Sequence, residues 1–284
     1  MKTLPCVLLS VLVLVAPATR NQPAEPELVQ DGVISTARNE TWPSIDPVDG
    51  SLWFSVYDNN FDRQTILRAP KSGDKWGAPA AVAFSNGASG DRAVRFSPDG
   101  KRLYFSSNRS GPTPRNFHVW FVERRGEGWS EPAMLPEPLS SAAADRHSSE
   151  TRDGDLYFSS TRTGKNEIYH SKRTGDTWGP VEMLPPTINA VHVQTDVLVA
   201  PDGSWMLVVV TDHPKGLGGD DLFLSRRVNG AWSELEHLAA PINSKEYEYG
   251  PSLSPDGKTL YFTSHRRGSA DIYRIPVSAF LNNF

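Results

Sequence analysis

The sequence predicts an all-β chain assembled from five copies of one unit, and three observations predict it. A Pro-Asp-Gly-like turn recurs as DPVDGSLWFS, SPDGKRLYFSS, TRDGDLYFSS, APDGSWMLVVV and SPDGKTLYFTS. Its glycines, Gly50, Gly100, Gly154, Gly203 and Gly257, are spaced by 50, 54, 49 and 54 residues. Each turn leads into an apolar triplet, and no helical period of useful length follows the N-terminal segment.

Each element of the unit has a physical reason. In the turn, proline fixes φ, aspartate caps its own backbone, and glycine takes a positive φ. The triplets are Leu52-Trp53-Phe54, Leu103-Tyr104-Phe105, Leu156-Tyr157-Phe158, Met206-Leu207-Val208 and Leu260-Tyr261-Phe262. Three large apolar residues in one short strand imply burial on both faces, as in a sheet held between two others. A third strand follows at Ile66-Leu67, Val119-Trp120, Ile168-Tyr169, Leu222-Phe223 and Ile272-Tyr273. In four copies a tryptophan comes next, Trp76, Trp129, Trp178 and Trp232, and then a short fourth strand. Four-stranded units of about 50 residues, repeated radially, describe a β-propeller. Five blades are expected, with six as the alternative. The fifth unit lacks its fourth strand, and PELVQDGVIST, Pro26 to Thr36, resembles the missing phrase. The N-terminal strand is therefore expected to pair with the last blade and close the ring, removing an exposed sheet edge.

Composition bounds the function. Lys2, an apolar run from Leu4 to Val15 and the small-residue site Ala16-Pro17-Ala18 describe a secretory signal peptide over residues 1–18. The run is short for a membrane-spanning helix, which needs roughly 20 residues, so a membrane anchor is the lesser alternative. Residues 19–284 are expected to form a single propeller domain, periplasmic or secreted, monomeric and not inserted in a membrane. Cys6 is the only cysteine, which leaves the mature chain no disulfide and no thiolate metal site. A net charge of −4 argues against nucleic acid as a partner.

The phrase SPDGKxLYFxS…R…G…DIY, at Ser97–Gly111 and Ser254–Tyr273, resembles the TolB-like propellers, the Pro-Asp relatives of WD repeats. The likeness runs from Glu25 to about Val277 and implies a propeller in the bacterial envelope that docks proteins. The chain departs from TolB itself in having five units where that member has six blades. It also shows no separate α/β domain before the ring.

Aligning the units on their glycines places Glu40, Asp91, Asp145, Gln194 and Glu248 at the start of each innermost strand. The next column holds Thr41, Arg92, Arg146, Thr195 and Tyr249, and the one after it Trp42, Ala93, His147, Asp196 and Gly250. First strands line the central channel, so these columns are expected to form rings at one mouth. The ligand-binding candidates are Glu40, Trp42, Asp91, Arg92, Asp145, Arg146, His147, Asp196, Glu248 and Tyr249. Converging carboxylates could bind a polar ligand, or do acid–base work if their pKa values are pushed apart. In the plainer reading each acid ties its strand to a neighbouring blade. The arrangement is similar in outline to that of five-bladed glycosidases, on architecture alone and without their local motifs. The expected role is non-covalent recognition of a protein or glycan, with a carbohydrate-active hydrolase or lyase as the alternative.

Other motifs point to ordinary turns and packing. Asp58–Asp62 begins like a calcium loop, but Arg63 stands where glycine is needed and Ala69 where the terminal glutamate is needed. The seven histidines form no HExxH or His-x-His pair, so neither a metal nor any other cofactor is expected. No G-x-S-x-G elbow is present, and GLGGDD at Gly216 lies in a turn before a strand. The tryptophan column is read as inter-blade packing, with a sugar platform as the alternative. The basic pairs Arg124-Arg125, Arg226-Arg227 and Arg266-Arg267 are read as solvated hairpin ends.

Overall fold

The computed structural model describes residues 24–85, 87–110, 115–189 and 192–281. The expected signal segment lies outside them. Five small antiparallel sheets are arranged as the five blades of a β-propeller. Their innermost strands are Asn39–Ile45, Asp91–Phe96, Asp145–Glu150, Val193–Val199 and Glu248–Leu253, for blades I to V. Each is followed outward by the triplet strand and the third strand. The triplet strands are buried on both faces, as the sequence pattern requires. All five turn glycines have positive φ, between 69° and 87°. The turn aspartate caps two residues on: the Asp99 carboxylate accepts the Lys101 N–H at 3.0 Å, and Asp256 accepts that of Lys258 at 3.1 Å.

The ring closes as the missing fourth strand implied. Glu27–Leu28 pairs antiparallel with Asp271–Pro276, placing Leu28 opposite Tyr273. The Val29 N–H continues the ladder by donating to the Ile272 carbonyl at 2.9 Å. Val29 and Ile34 are buried against Ile272 and Tyr261 of blade V and Trp76 of blade I. The Gln30 amide clamps Trp76 by both backbone groups, at 2.9 and 2.6 Å. One N-terminal segment thus joins the last blade to the first.

The tryptophan column packs between blades. Trp76 meets Tyr261, Trp129 meets Trp53 and Trp232 meets Tyr157, each edge to face on the second strand of the preceding blade. Trp178 instead lies against Arg102 of blade II. The basic pairs depart from the solvated reading in part, since Arg125, Arg227 and Arg267 are exposed. Arg124 reaches into blade I to bond buried Asp46 at 2.6 Å and stacks on Trp129. Arg227 lies over Trp232, and Arg266 bonds back to the Ile242 carbonyl at 2.7 Å. Long stems over aromatic surface and satisfied donors explain why these positions carry arginine.

Candidate functional site

Every innermost strand carries a bulge that sets two residues opposite one. The shift lies between Thr41 and Ser44, Arg92 and Arg95, Arg146 and Ser149, Gln194 and Val197, and Tyr249 and Ser252. Bulges bend a strand and re-aim its side chains. Trp42, Ala93, His147 and Gly250 take positive φ there, at 48°, 57°, 52° and 63°. For the bulky Trp42 and His147 this is a strained backbone. A Cβ on Gly250 would stand 2.7 Å from Trp42 Cδ1, so glycine makes room for the indole.

At the mouth where these strands begin is a cavity of about 380 Å³, to which all five blades contribute. Blade I supplies Trp42, Tyr57 and Phe61, blade II Arg92, and blade III Arg146 and His147. Thr195, Asp196 and Asp220 come from blade IV, and Tyr247, Tyr249 and His265 from blade V.

Asp196 is the hub. Its Oδ1 lies 2.7 Å from His147 Nδ1. Its Oδ2 accepts the Trp42 indole N–H at 2.8 Å and the Gly250 backbone N–H at 2.9 Å. One blade IV carboxylate therefore joins blades I, III and V across the channel. Burial alone would raise its pKa, but His147, Trp42 and the Gly250 N–H together hold it down to about 2. His147 Nδ1 also faces the Thr195 carbonyl at 2.8 Å. With only acceptors around it, Nδ1 is the nitrogen that carries a proton.

The other charged groups are less well partnered. Buried Arg92 stacks on Phe117 at 3.9 Å and lies near Phe61 and Trp42, yet its Nε and Nη1 have no hydrogen-bond partner among the described residues. Burial, followed by the neighbouring Arg146 charge, lowers its pKa to about 10. Arg146 donates to Asn166 Oδ1 at 3.1 Å and leaves its buried Nε unpaired. Asp220 is bonded by the Thr211 hydroxyl. Burial, then the nearby Asp196, Asp212 and Asp221, raises its pKa to about 6. Phe61 and Tyr247, 43% and 48% exposed, present aromatic faces at the rim.

The ten sequence candidates separate into two groups. Trp42, Arg92, Arg146, His147, Asp196 and Tyr249 come together around the cavity. Glu40, Asp91, Asp145 and Glu248 do not line it. The bulge aims the second and third columns at the cavity, while the first column stays turned toward partners in its own blade. The expected ring of converging carboxylates is instead a set of ties within the blades. Asp145 accepts from the Ser141 N–H and hydroxyl at 2.7 and 2.8 Å, from the Ser160 hydroxyl at 2.6 Å and from Arg162 at 2.9 Å. Asp91 is held by Ser107 and Arg109, Glu248 by Ser244, Ser264 and Arg266, and Glu40 by Thr36. The Arg92 and Arg146 side chains line the cavity.

The sequence reading missed Ser107-x-Arg109, Ser160-x-Arg162 and Ser264-x-Arg266, although the motif recurs in three blades whose first column is acidic. It also missed Tyr57, Phe61, Asp220, Tyr247 and His265, whereas Thr195 stood in the second aligned column. Among the described residues no group of three or more His, Cys, Asp or Glu is placed to hold a metal ion. A second cleft, of about 410 Å³, opens at the opposite end between blades II and III. Within it Glu123 bonds Arg125 at 2.6 Å and Arg102 at 3.5 Å, while burial pushes the Glu150 carboxyl up to about 7.

No family model matches the chain, and no curated protein matches it. Among solved structures it is similar to a putative TolB from Agrobacterium tumefaciens, with a TM-score of 0.54 and 16% identity, over 85% of this chain and 78% of that one. Its structural neighbours include TolB propellers. TolB from Acinetobacter baumannii gives a TM-score of 0.53 and 18% identity, over 86% of this chain and 55% of that one. A thermostable family-43 glycoside hydrolase gives 0.55 and 13%, over 86% and 90%. At such identities the likeness establishes the propeller fold and nothing further. Among the described residues no helix is long and apolar enough to cross a membrane.

Proposed function

We propose that the protein is exported and recognises a glycan non-covalently at the five-blade channel mouth. The N-terminal apolar segment supports export. The observation that carries recognition is the cavity itself, a space of about 380 Å³ with exposed Phe61 and Tyr247 at its rim and polar groups at its floor. That size suits a compact ligand, and aromatic faces beside polar groups suit a sugar ring. A stable protein partner would bury roughly 800 Å² on each side, well beyond the cavity itself. Binding without turnover is favoured because Asp196 already accepts three hydrogen bonds that join the blades.

A second reading, hydrolysis of that glycan, has one observation in its favour. Asp196 is held down to about 2 while Asp220 is raised to about 6, and carboxyl groups with divergent pKa values are what acid–base chemistry requires. A glycan array probed with the mature chain tests the proposal, followed by reducing-end assays on whatever binds. Retention of intact glycans is the expected result. Release of reducing ends, lost in Asp220→Asn with folding intact, would favour hydrolysis. A silent array alongside specific capture of an envelope protein would overturn the glycan assignment.

A further inference from the structure

We infer that the ligand presents an oxyanion to Arg92 and Arg146 on the cavity floor, which makes it an acidic saccharide. This inference rests on the recognition reading above and gives it a chemical class. Arg92 is 5% exposed, and its side-chain Nε and Nη1 have no hydrogen-bond partner among the described residues. Its Nε and Nη1 are walled in without partners, which leaves Nη2 as the nitrogen open to the cavity. Arg146, close enough to depress the Arg92 pKa by its charge, spends Nη2 on Asn166 and buries an unpaired Nε. Arg95, further along the Arg92 strand, likewise leaves its Nε and Nη1 unpaired.

Aromatic stacking explains why Arg92 can be buried, but it does not satisfy the in-plane N–H groups. A guanidinium in that state destabilises a fold unless it serves a ligand. Asp196 has both oxygens committed to His147, Trp42 and Gly250, and Asp220 is bonded by the Thr211 hydroxyl. Among the described residues no hydrogen bond joins either carboxylate to Arg92 or Arg146, so the unpaired guanidinium N–H groups are left for a ligand. A planar or tetrahedral oxyanion fits the fork of arginine, while the aromatic rim receives the ring that carries it. A uronic acid and a sulfated sugar are representative saccharide sources of such a group, one planar and one tetrahedral.

The test uses matched oligosaccharides: a uronate form, its carboxyl-reduced neutral counterpart and a sulfated version of that counterpart. Calorimetric titration of the mature chain is expected to show at least tenfold tighter binding of a charged member than of the neutral one, with affinity falling as salt rises. Strong binding of the uronate alone identifies a carboxylate, and binding of the sulfated form identifies a sulfate ester. Arg92→Met keeps the stem on Phe117 and is expected to erase the preference while leaving the melting temperature unchanged or higher. Arg92→Lys keeps the charge without the fork and is expected to be intermediate. Equal affinity for the charged and neutral members would overturn this inference and leave the recognition reading standing. Binding of neither class at the mouth would overturn both. A marked loss of stability in Arg92→Met, with the preference intact in Arg92→Lys, would show that Arg92 serves the fold alone.

Discussion

Replacing Asp196 with asparagine tests how the channel is held. The substitution keeps the shape but removes the charge, and it turns an amide N–H toward at least one of the three donors that face the carboxylate. A carboxyl group with a pKa of about 2 in the folded state, against 3.8 ordinarily, contributes about 2 kcal/mol of stability at neutral pH. The unpaired donors left behind bring the expected cost to about 2–4 kcal/mol, or a fall of about 5–15 °C in melting temperature for a domain of this size. The pH dependence has a definite sign. Because the folded pKa is depressed, the contribution is fully present above the ordinary value and is lost as pH falls through it toward about 2. The gap between wild type and Asp196→Asn in chemical denaturation is therefore expected to shrink by about 1 kcal/mol between pH 7 and pH 3. A variant as stable as wild type at pH 7, or a gap independent of pH, would refute the view that Asp196 joins the blades.

Further predictions follow from the same contacts. Deleting residues 24–36 strips Val29 and Ile34 from the seam between blades V and I. Ile34→Ala alone is expected to cost about 2–4 kcal/mol, read by circular dichroism, and an unchanged melting curve would contradict the closure. Asp145→Asn leaves Arg162 without its charged partner and is expected to cost about 2–4 kcal/mol, with ligand affinity of the folded fraction unchanged. A selective loss of affinity there would return the acidic column to the binding site. Asp220 has a raised folded pKa, so its charge destabilises the fold as pH rises through about 6. Discounted for partial exposure, Asp220→Asn is expected to add about 1–2 kcal/mol at pH 8 and almost nothing at pH 4. Equal effects at the two pH values would show that the carboxyl group is not strained.

The repeat made the fold legible because each blade needs the same turn, the same doubly buried strand and the same closing hairpin. The N-terminal strand was legible for a related reason, since a unit missing one strand must borrow it. The site was legible only in part. Aligned columns located Trp42, Arg92, Arg146, His147, Asp196 and Tyr249, whose positions follow from strand start and bulge. The same columns promoted Glu40, Asp91, Asp145 and Glu248 because alignment shows where a residue sits along a strand, not which face it takes. Their partners, in Ser-x-Arg motifs such as Ser160–Arg162, were visible in the sequence as a co-occurrence with acidic first positions. Phe61 and Tyr247 were not, because each lies on a loop whose path over the mouth depends on tertiary structure. Asp220 opens a third strand, and its raised pKa arises from neighbours distant in sequence.

The central claim is that ligand binds at the channel mouth against the aromatic rim. Its most direct test is titration of the best glycan-array ligand into wild type and into the double variant Phe61→Ala, Tyr247→Ala, alongside melting curves. Both side chains are more than two-fifths exposed, so their removal is expected to leave stability within about 1 kcal/mol. At least a tenfold loss of affinity with the fold intact is the expected result. Undiminished affinity in the double variant would place the ligand elsewhere and contradict it.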